Sequence, residues 1–370
     1  MSTEPTTPTS GYEAPSKVKP EAMNLFSKYL SVWVFAAMVV GVLLGYYVPS
    51  IPTALDKATV SGISIPIAVF LWGMILPMML SIDFSTLVAI VQAPKPILLC
   101  SIVNYAIQPF TMYGIALLFF RNIYDIEDSK ANGYIVGSIL LGGAPCTAMV
   151  FVWSKLMRGN ASYTLAQVAF NNVLLLVLYV PTAKLLAGAS DIVMPWDTLF
   201  ASVGLFIVVP LVIAVVTRRC VSETTLAWID QRLLPLLDTC SMVFLILMIV
   251  LIFISQADTI THNWVDILLI AVPLILQTAL IWGIMYAAAL FFRLPYEVAG
   301  PATLIACSNF FEMAVAVAAS VYGSGSPATL ATVVGVLIEV PIMLILVGIN
   351  NKTQHFFSKA QEVSLQLDRV

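Results

Sequence analysis

The sequence predicts an all-α integral membrane protein with ten transmembrane helices in two inverted five-helix repeats. Three observations lead there. Of the 370 residues, 60% are hydrophobic and 10% charged, whereas soluble domains carry roughly a quarter charged residues. Ten apolar segments are long enough to span a bilayer, and two of them, at corresponding points of the two halves, are interrupted inside the apolar run.

Along the chain, residues 1–28 are rich in Pro, Ser, Thr and Glu and have no apolar run, so they read as a disordered tail and not as a secretory signal. The first two spans, 29–48 and 63–82, are apolar throughout, with Trp72 read as a packing residue. The third, 96–120, carries Asn104 and Gln108. The fourth, 133–154, contains the break Gly142, Gly143, Pro145 followed by Cys146, residues that weaken a helix. The fifth, 163–183, carries Asn171 and Asn172. The sixth and seventh, 198–217 and 239–257, flank the longest internal loop, 218–238, which is too short to bury a core of its own. The eighth, 267–292, carries Gln277; the ninth, 298–322, holds Asn309 and Glu312; the tenth, 328–348, holds Glu339. The transporter domain is thus expected over 29–350, with a cytoplasmic tail at 351–370.

Every one of the 17 Lys and Arg residues lies outside these spans, so their distribution sets the orientation. The side shared by both termini holds Lys17, Lys19, Lys28, Lys95, Lys155, Arg158, Arg218, Arg219, Arg232, Arg293, Lys352, Lys359 and Arg369, against Lys57, Arg121, Lys130 and Lys184 on the other. Both termini are expected to be cytoplasmic. A formal charge of −3 carries no sign of a nucleic-acid partner.

An odd-numbered repeat enters the membrane in opposite senses, which is the plan of many secondary transporters. Laying Thr164 over Thr329 aligns "TLAQV" with "TLATV", sets the Gly-Gly-Ala-Pro-Cys break over "ACSNFF" and puts Thr147 opposite Glu312. Irregular backbone at membrane depth is tolerated only where protein covers it or it lines a cavity, and paired interruptions point to a midplane binding site. The competing reading is that Gly142, Gly143 and Pro145 only let helices approach closely.

Glu312 and Glu339 are the acidic residues well inside spans, and no Lys or Arg lies in a span to neutralise them. An unpaired charge there costs several kcal/mol on insertion scales, so each carboxyl is expected to carry a proton part of the time and to act as a proton carrier. The alternative is a permanently protonated Glu bonded to a neighbouring carbonyl. Asn104, Gln108, Asn171, Asn172, Gln277 and Asn309 read either as site residues or as interhelical glue. Trp153 reads as a packing residue or an interfacial anchor, and as an anchor rather than a substrate contact. The cysteines contain no C-x-x-C pair, so neither a disulfide framework nor a structural zinc site is expected, and no cofactor is called for. Cys146, placed in the break, can meet freed backbone N–H groups and serve as a ligand for a soft, thiophilic ion.

The runs "GMILPMMLSIDF", "APCTAMVFVWSKLMRGNASYTLAQVAFNN", "ACSNFFEMAVAVAASVYG" and "ATLATVVGVLIEVPIML" resemble the Acr-type arsenite efflux permeases of the bile acid/arsenite/riboflavin transporter superfamily, over about residues 29–350. The resemblance implies a panel of helices 1, 2, 6 and 7 and a core of helices 3–5 and 8–10, with broken helices four and nine crossing in the core. It implies arsenite export, with antimonite as a further substrate, in exchange for protons. By motif, Cys146 matches the family's essential thiol, and as such the ligand of the arsenic. Glu339 matches its essential carboxylate and Glu312 the acidic residue ending the Asn-Phe-Glu motif. Asn104, Trp153, Asn171 and Asn309 fall in similar family segments. Where many relatives carry Asn-Asp, this chain has Asn171-Asn172, so the proton work falls on Glu312 and Glu339.

These readings combine in one expected mechanism. Cys146 engages arsenic while Glu339 and Glu312 accept bonds from its hydroxyls, and reprotonation on the outside expels the substrate. A monomer in the plasma membrane suffices, because the fold needs no partner to close its site. The competing chemistry is a sodium-coupled carrier of organic anions. An intramembrane enzyme would require an Asp-rich metal motif or an intramembrane His, and neither occurs. No Gly-rich phosphate loop with its Lys is present either.

Overall fold

The computed structural model describes residues 29–60, 63–81, 94–147, 149–190, 192, 195–221 and 223–367. The expected N-terminal tail, the basic residues Lys17, Lys19, Lys28 and Arg369, and the end of the second span at Ile82 lie outside the described residues.

Apolar sequence without strand-forming alternation folds here as helix almost throughout. In chain order the helices are α1 (Leu30–Tyr47), α2 (Ser50–Lys57), α3 (Ile65–Ser81), α4 (Pro94–Ile123), α5 (Asp128–Gly142), α6 (Val150–Leu156) and α7 (Ala161–Gly188). They continue as α8 (Asp197–Cys220), α9 (Glu223–Trp228), α10 (Ile229–Ser255), α11 (Ala257–His262), α12 (Trp264–Phe291), α13 (Tyr296–Cys307), α14 (Phe311–Tyr322) and α15 (Pro327–Leu367). A two-residue antiparallel hairpin, β1 (Thr59–Val60) with β2 (Ile63–Ser64), joins α2 to α3. Among the described residues, six helices are long and apolar enough to cross a membrane by length and composition: α4, α7, α8, α10, α12 and Pro327–Phe357 of α15. Large apolar side chains such as Phe35, Val69, Val177, Val212 and Leu268 stand exposed along these elements, as expected of a surface that faces lipid rather than water.

α4 contains two π-helical turns, Val103–Ile107 and Leu118–Ile123. Such turns frequently sit at functional sites, and the first brings Asn104 and Gln108 into the buried interior. α10 packs against α1 and α3, and α8 against α3, whereas α15 packs against α5, α12 and α14. The fourth and ninth apolar segments are each split, into α5 with α6 and α13 with α14.

The last helix does not stop at the end of its apolar run but continues to Leu367. Side chains beyond the run explain the continuation. The Asn350 amide accepts from Trp282 Nε1 (3.1 Å) and donates to Thr303 Oγ1 (2.8 Å). Asn351 Oδ1 accepts from the Tyr296 hydroxyl (2.8 Å). Phe357 is buried with its ring 5.1 Å from that of Tyr286 and 5.9 Å from that of Tyr296.

Candidate functional site

The site is assembled where the two broken helices meet. α5 ends at Gly142, and Gly143, Ala144, Pro145, Cys146 and Thr147 lie outside helix before α6 begins at Val150. The second break is shorter, Ser308, Asn309 and Phe310 between α13 and α14, with Ser308 in an extended conformation (ψ 141°). The two breaks satisfy each other. Phe310 donates its backbone N–H to the Ala144 carbonyl (2.7 Å), and Cys146 donates its N–H to the Ser308 carbonyl (3.1 Å), forming an antiparallel bridge that pairs Pro145 with Asn309. Backbone freed from a helix in an apolar interior must find partners, and here each break supplies those of the other.

In this register Pro145 and Asn309 form the non-hydrogen-bonded pair, whose own N–H groups are not used by the ladder. Proline, which has no N–H, therefore costs nothing at this position. The N–H of Asn309 remains free and is taken by Glu339 Oε1 at 3.1 Å. The same oxygen accepts the Ser308 hydroxyl proton. Glu339 comes from α15, so the second break and the last helix meet at one carboxyl oxygen.

The remaining carboxyl oxygens have no partner in the protein. Glu339 Oε2 and both oxygens of Glu312, in the first turn of α14, are buried and make no hydrogen bond, as is the Thr147 hydroxyl. Glu312 is 0% exposed, Glu339 5% and Cys146 0%. Cys146 is tied to Ser308 through its backbone N–H and lies within electrostatic reach of Glu339 and Glu312. A soft sulfur thus stands among hard, unpartnered oxygen acceptors in a closed interior. Such a set suits a small ligand that offers both a thiophilic centre and hydroxyl donors. Among the described residues, no three His, Cys, Asp or Glu side chains gather to hold a metal ion.

Asn309 is held from the other side: its Oδ1 accepts from Gln108 Nε2 (2.6 Å), and the Gln108 carbonyl accepts from Gln277 Nε2 (3.0 Å). Gln108, Gln277 and Ser308 thereby belong to the site's frame. The two glutamines are visible in the sequence as polar residues in apolar spans, but their pairing is not, and Ser308 carries no local signal. Asn104 and Asn171 lie in a second polar cluster. Gln167 Nε2 donates to Ser101 Oγ (3.1 Å) and Asn171 Oδ1 (3.0 Å), and Asn104 Nδ2 donates to the Cys100 sulfur at 3.8 Å. Those hydrogen bonds lead to one another rather than to Cys146 or Glu339.

The two glycines act through packing: a Cβ on Gly142 would meet Met112 Cβ at 2.8 Å, and one on Gly143 would meet the Tyr179 ring at 3.3 Å. The small residues and the site are therefore not alternatives, since close approach and interruption occur at one place. Trp153 is not an interfacial anchor. It is fully buried, with its indole N–H unpartnered, because α6 turns inward after the break and packs on α7 and α13.

Long apolar helices around two interrupted ones, with carboxyls buried at the joint, are those of a multi-pass membrane protein, and its family makes it a transporter and not an enzyme. The chain belongs to the sodium bile acid symporter family, whose model matches residues 66–263. It is 46% identical over 91% of its length to the arsenical-resistance protein Acr3 of Alkaliphilus metalliredigens, covering 95% of that protein. It is 41% identical to an uncharacterized transporter of Synechocystis, over 94% of each chain. The arsenical-resistance protein Acr3 of Corynebacterium glutamicum is 27% identical over 90% of each chain.

Proposed function

We propose that this protein exports arsenite, as neutral arsenous acid, from the cytoplasm in exchange for protons, by alternating access. The observation that carries the reading is that Cys146 lies within electrostatic reach of Glu339 and Glu312 at the joint of the two breaks, in an interior that leaves carboxyl oxygens unpartnered. The names of two relatives, both arsenical-resistance proteins, support the same substrate. Antimonite has the same trihydroxide chemistry and fits the same donor set.

Arsenous acid exchanges a hydroxyl for sulfur, the thiol proton leaving with that hydroxyl as water, and donates hydrogen bonds through the others. With the site open inward, Cys146 bonds arsenic in this way while the ionised carboxyls of Glu339 and Glu312 accept from the remaining hydroxyls, with Thr147 and Asn309 beside them. After the site opens outward, protons arriving on the carboxyls remove those acceptors, water adds back to arsenic as its proton restores the thiol, and arsenous acid leaves. The return with protonated carboxyls carries the protons inward, and no nucleotide is needed.

The architecture that serves this cycle is ten spans in two inverted repeats of five, with the helices of spans 1, 2, 6 and 7 forming a panel and the others a core. The packing of α10 on α1 and α3, and of α15 on α5, α12 and α14, supports that division. The distribution of Lys and Arg supports cytoplasmic termini. The protein acts as a monomer in the plasma membrane, surrounded by lipid. Gly142, Gly143 and Pro145 shape the break, while Asn104, Asn171 and Trp153 support the core around it.

The test is accumulation of sodium arsenite in everted membrane vesicles, wild type against Cys146→Ala, with and without an imposed pH gradient. Gradient-driven uptake that Cys146→Ala abolishes supports export through the thiol. The family's description also names sodium and bile acid, so a sodium gradient with an organic anion is run in parallel. Uptake there, and none of arsenite, overturns the reading.

A further inference from the structure

We propose that a hydroxyl-lined cavity at the outer end of the seam between panel and core is a second site for neutral arsenous acid, which it holds by hydrogen bonds alone once the acid has left Cys146; this rests on the arsenite reading above. The cavity has a volume of about 220 Å³, whereas a single water needs roughly 10–15 Å³, so a ligand of one arsenic and three oxygens has room in it. Thr59, Ser64, Ser255, Ser320 and Ser324 line it, and among the described residues no charged side chain and no thiol does so. Such a lining has nothing to hold an ion or to bond arsenic. It suits a neutral polyhydroxy ligand that must be let go.

The hydrogen bonds of the lining show what it offers. Thr59 Oγ1 donates to the Leu55 carbonyl (3.2 Å), and Ser320 Oγ donates to the Ala316 carbonyl (2.7 Å). A hydroxyl has one proton and two lone pairs, so with their protons committed to backbone both keep lone pairs for a donor. The Ser64 hydroxyl is buried and has no partner in the protein. The walls are therefore rich in acceptors, and arsenous acid brings three hydroxyl donors.

The cavity is built from both sides of the seam. Thr59 and Ser64 belong to the hairpin between α2 and α3 and Ser255 ends α10, on the panel, whereas Ser320 lies in α14 and Ser324 in the turn after it, in the core. α14 packs on β2, α3 and α10, and Gln256 Nε2, next in the chain to Ser255, crosses the seam to donate to the Ser324 carbonyl. The turn that presents this carbonyl needs Gly323, whose φ of 89° lies in the left-handed region, and Thr329 Oγ1 of α15 donates to the Gly323 carbonyl (2.8 Å). The connections that supply these residues lie opposite the termini, outside in the orientation proposed above. α14 joins the cavity to the central site. Glu312 in its first turn and Ala319 in the cavity wall are two turns apart, so they share a face at about 10 Å along the axis. When panel and core part, arsenous acid released at the break reaches the hydroxyls along that face.

Initial uptake of sodium arsenite into everted vesicles, whose lumen corresponds to the outside of the cell, is measured against increasing arsenite preloaded in the lumen, at equal amounts of inserted protein. In the double variant Ser64→Ala with Ser320→Ala, the inhibition constant of lumenal arsenite is expected to rise about tenfold, the worth of one or two hydrogen bonds, with KM on the cytoplasmic face unchanged. Ser320→Leu, which fills the cavity, is expected to lower kcat with KM unchanged. An unchanged inhibition constant, a KM that rises along with it, or wild-type kcat in Ser320→Leu overturns the outer site while leaving arsenite export intact. A wild type that does not move arsenite overturns the export reading, and the outer site with it. Should the variants not insert, boric acid, a neutral trihydroxide that does not bond sulfur, is preloaded into wild-type vesicles. Slower arsenite uptake is expected, and an unchanged rate overturns the outer site.

Discussion

The backbone N–H of Asn309 donates to Glu339 Oε1 at 3.1 Å, and it is free to do so because Asn309 sits opposite Pro145 at the non-hydrogen-bonded position of the bridge between the two breaks. The register of the bridge between the fourth and ninth apolar segments thereby decides where the carboxyl of the tenth is anchored.

Glu339→Gln keeps the shape of the side chain and its capacity to accept from Ser308 and Asn309 but removes the titrating oxygen. Arsenite export driven by a pH gradient is expected to fall by about a hundredfold, at normal expression, in vesicle uptake. Retained gradient-driven export in this variant would refute the proton role of Glu339.

Pro145→Ala introduces a backbone N–H at a position where the bridge offers no acceptor. A buried unsatisfied donor costs about 1–3 kcal/mol, so the variant is expected to melt at lower temperature in detergent and to transport more slowly. An unchanged melting curve would show that the break relaxes to accommodate the donor.

Gly142→Val drives side-chain carbon into Met112, whose Cβ lies 2.8 Å from where a Cβ on Gly142 would stand. Overpacking of this kind costs about 1–3 kcal/mol. Met112→Gly removes the atoms that stand in the way, so the double variant should be more stable than the sum of the single effects predicts. Strict additivity in thermal melts would mean that the two residues do not press on each other.

Phe357→Ala removes a ring buried between Tyr286 and Tyr296, beyond the apolar part of the last helix. Loss of a buried Phe costs about 3–5 kcal/mol, and Phe357→Leu should cost less. Protease sensitivity of the chain after Asn351, read alongside the melting temperature, measures whether the end of α15 has come loose. If Phe357→Ala leaves both unchanged, the ring does not hold the helix.

Much of the fold is legible in the sequence because helix formation in an apolar segment is a local matter. Among the described residues the apolar segments are largely helical, and the expected interruptions at Gly142 to Cys146 and near Asn309 are where helix is lost. Trp153 was misleading for an equally local reason: a tryptophan near the end of an apolar run looks interfacial until the run itself bends inward. Gln108 and Gln277 were visible as costly polar residues, but nothing near them in the chain says that one holds Asn309 and the other holds the first.

The sequence by itself determined that this is a multi-pass membrane protein, that two apolar segments cannot be continuous helices, and that Cys146, Glu312 and Glu339 stand at depths where each needs a reason. Those conclusions rest on the cost of burying polar groups and of bending backbone, which a residue carries wherever it is placed. Only the tertiary structure decided that the two breaks pair in a register leaving the Asn309 N–H for Glu339, and that Ser308 turns from its own helix toward a carboxyl of α15. Hydrogen bonds between segments so far apart in the chain depend on how helices pack. A shift of one residue in that packing would hand each donor to a different acceptor without altering a single local preference.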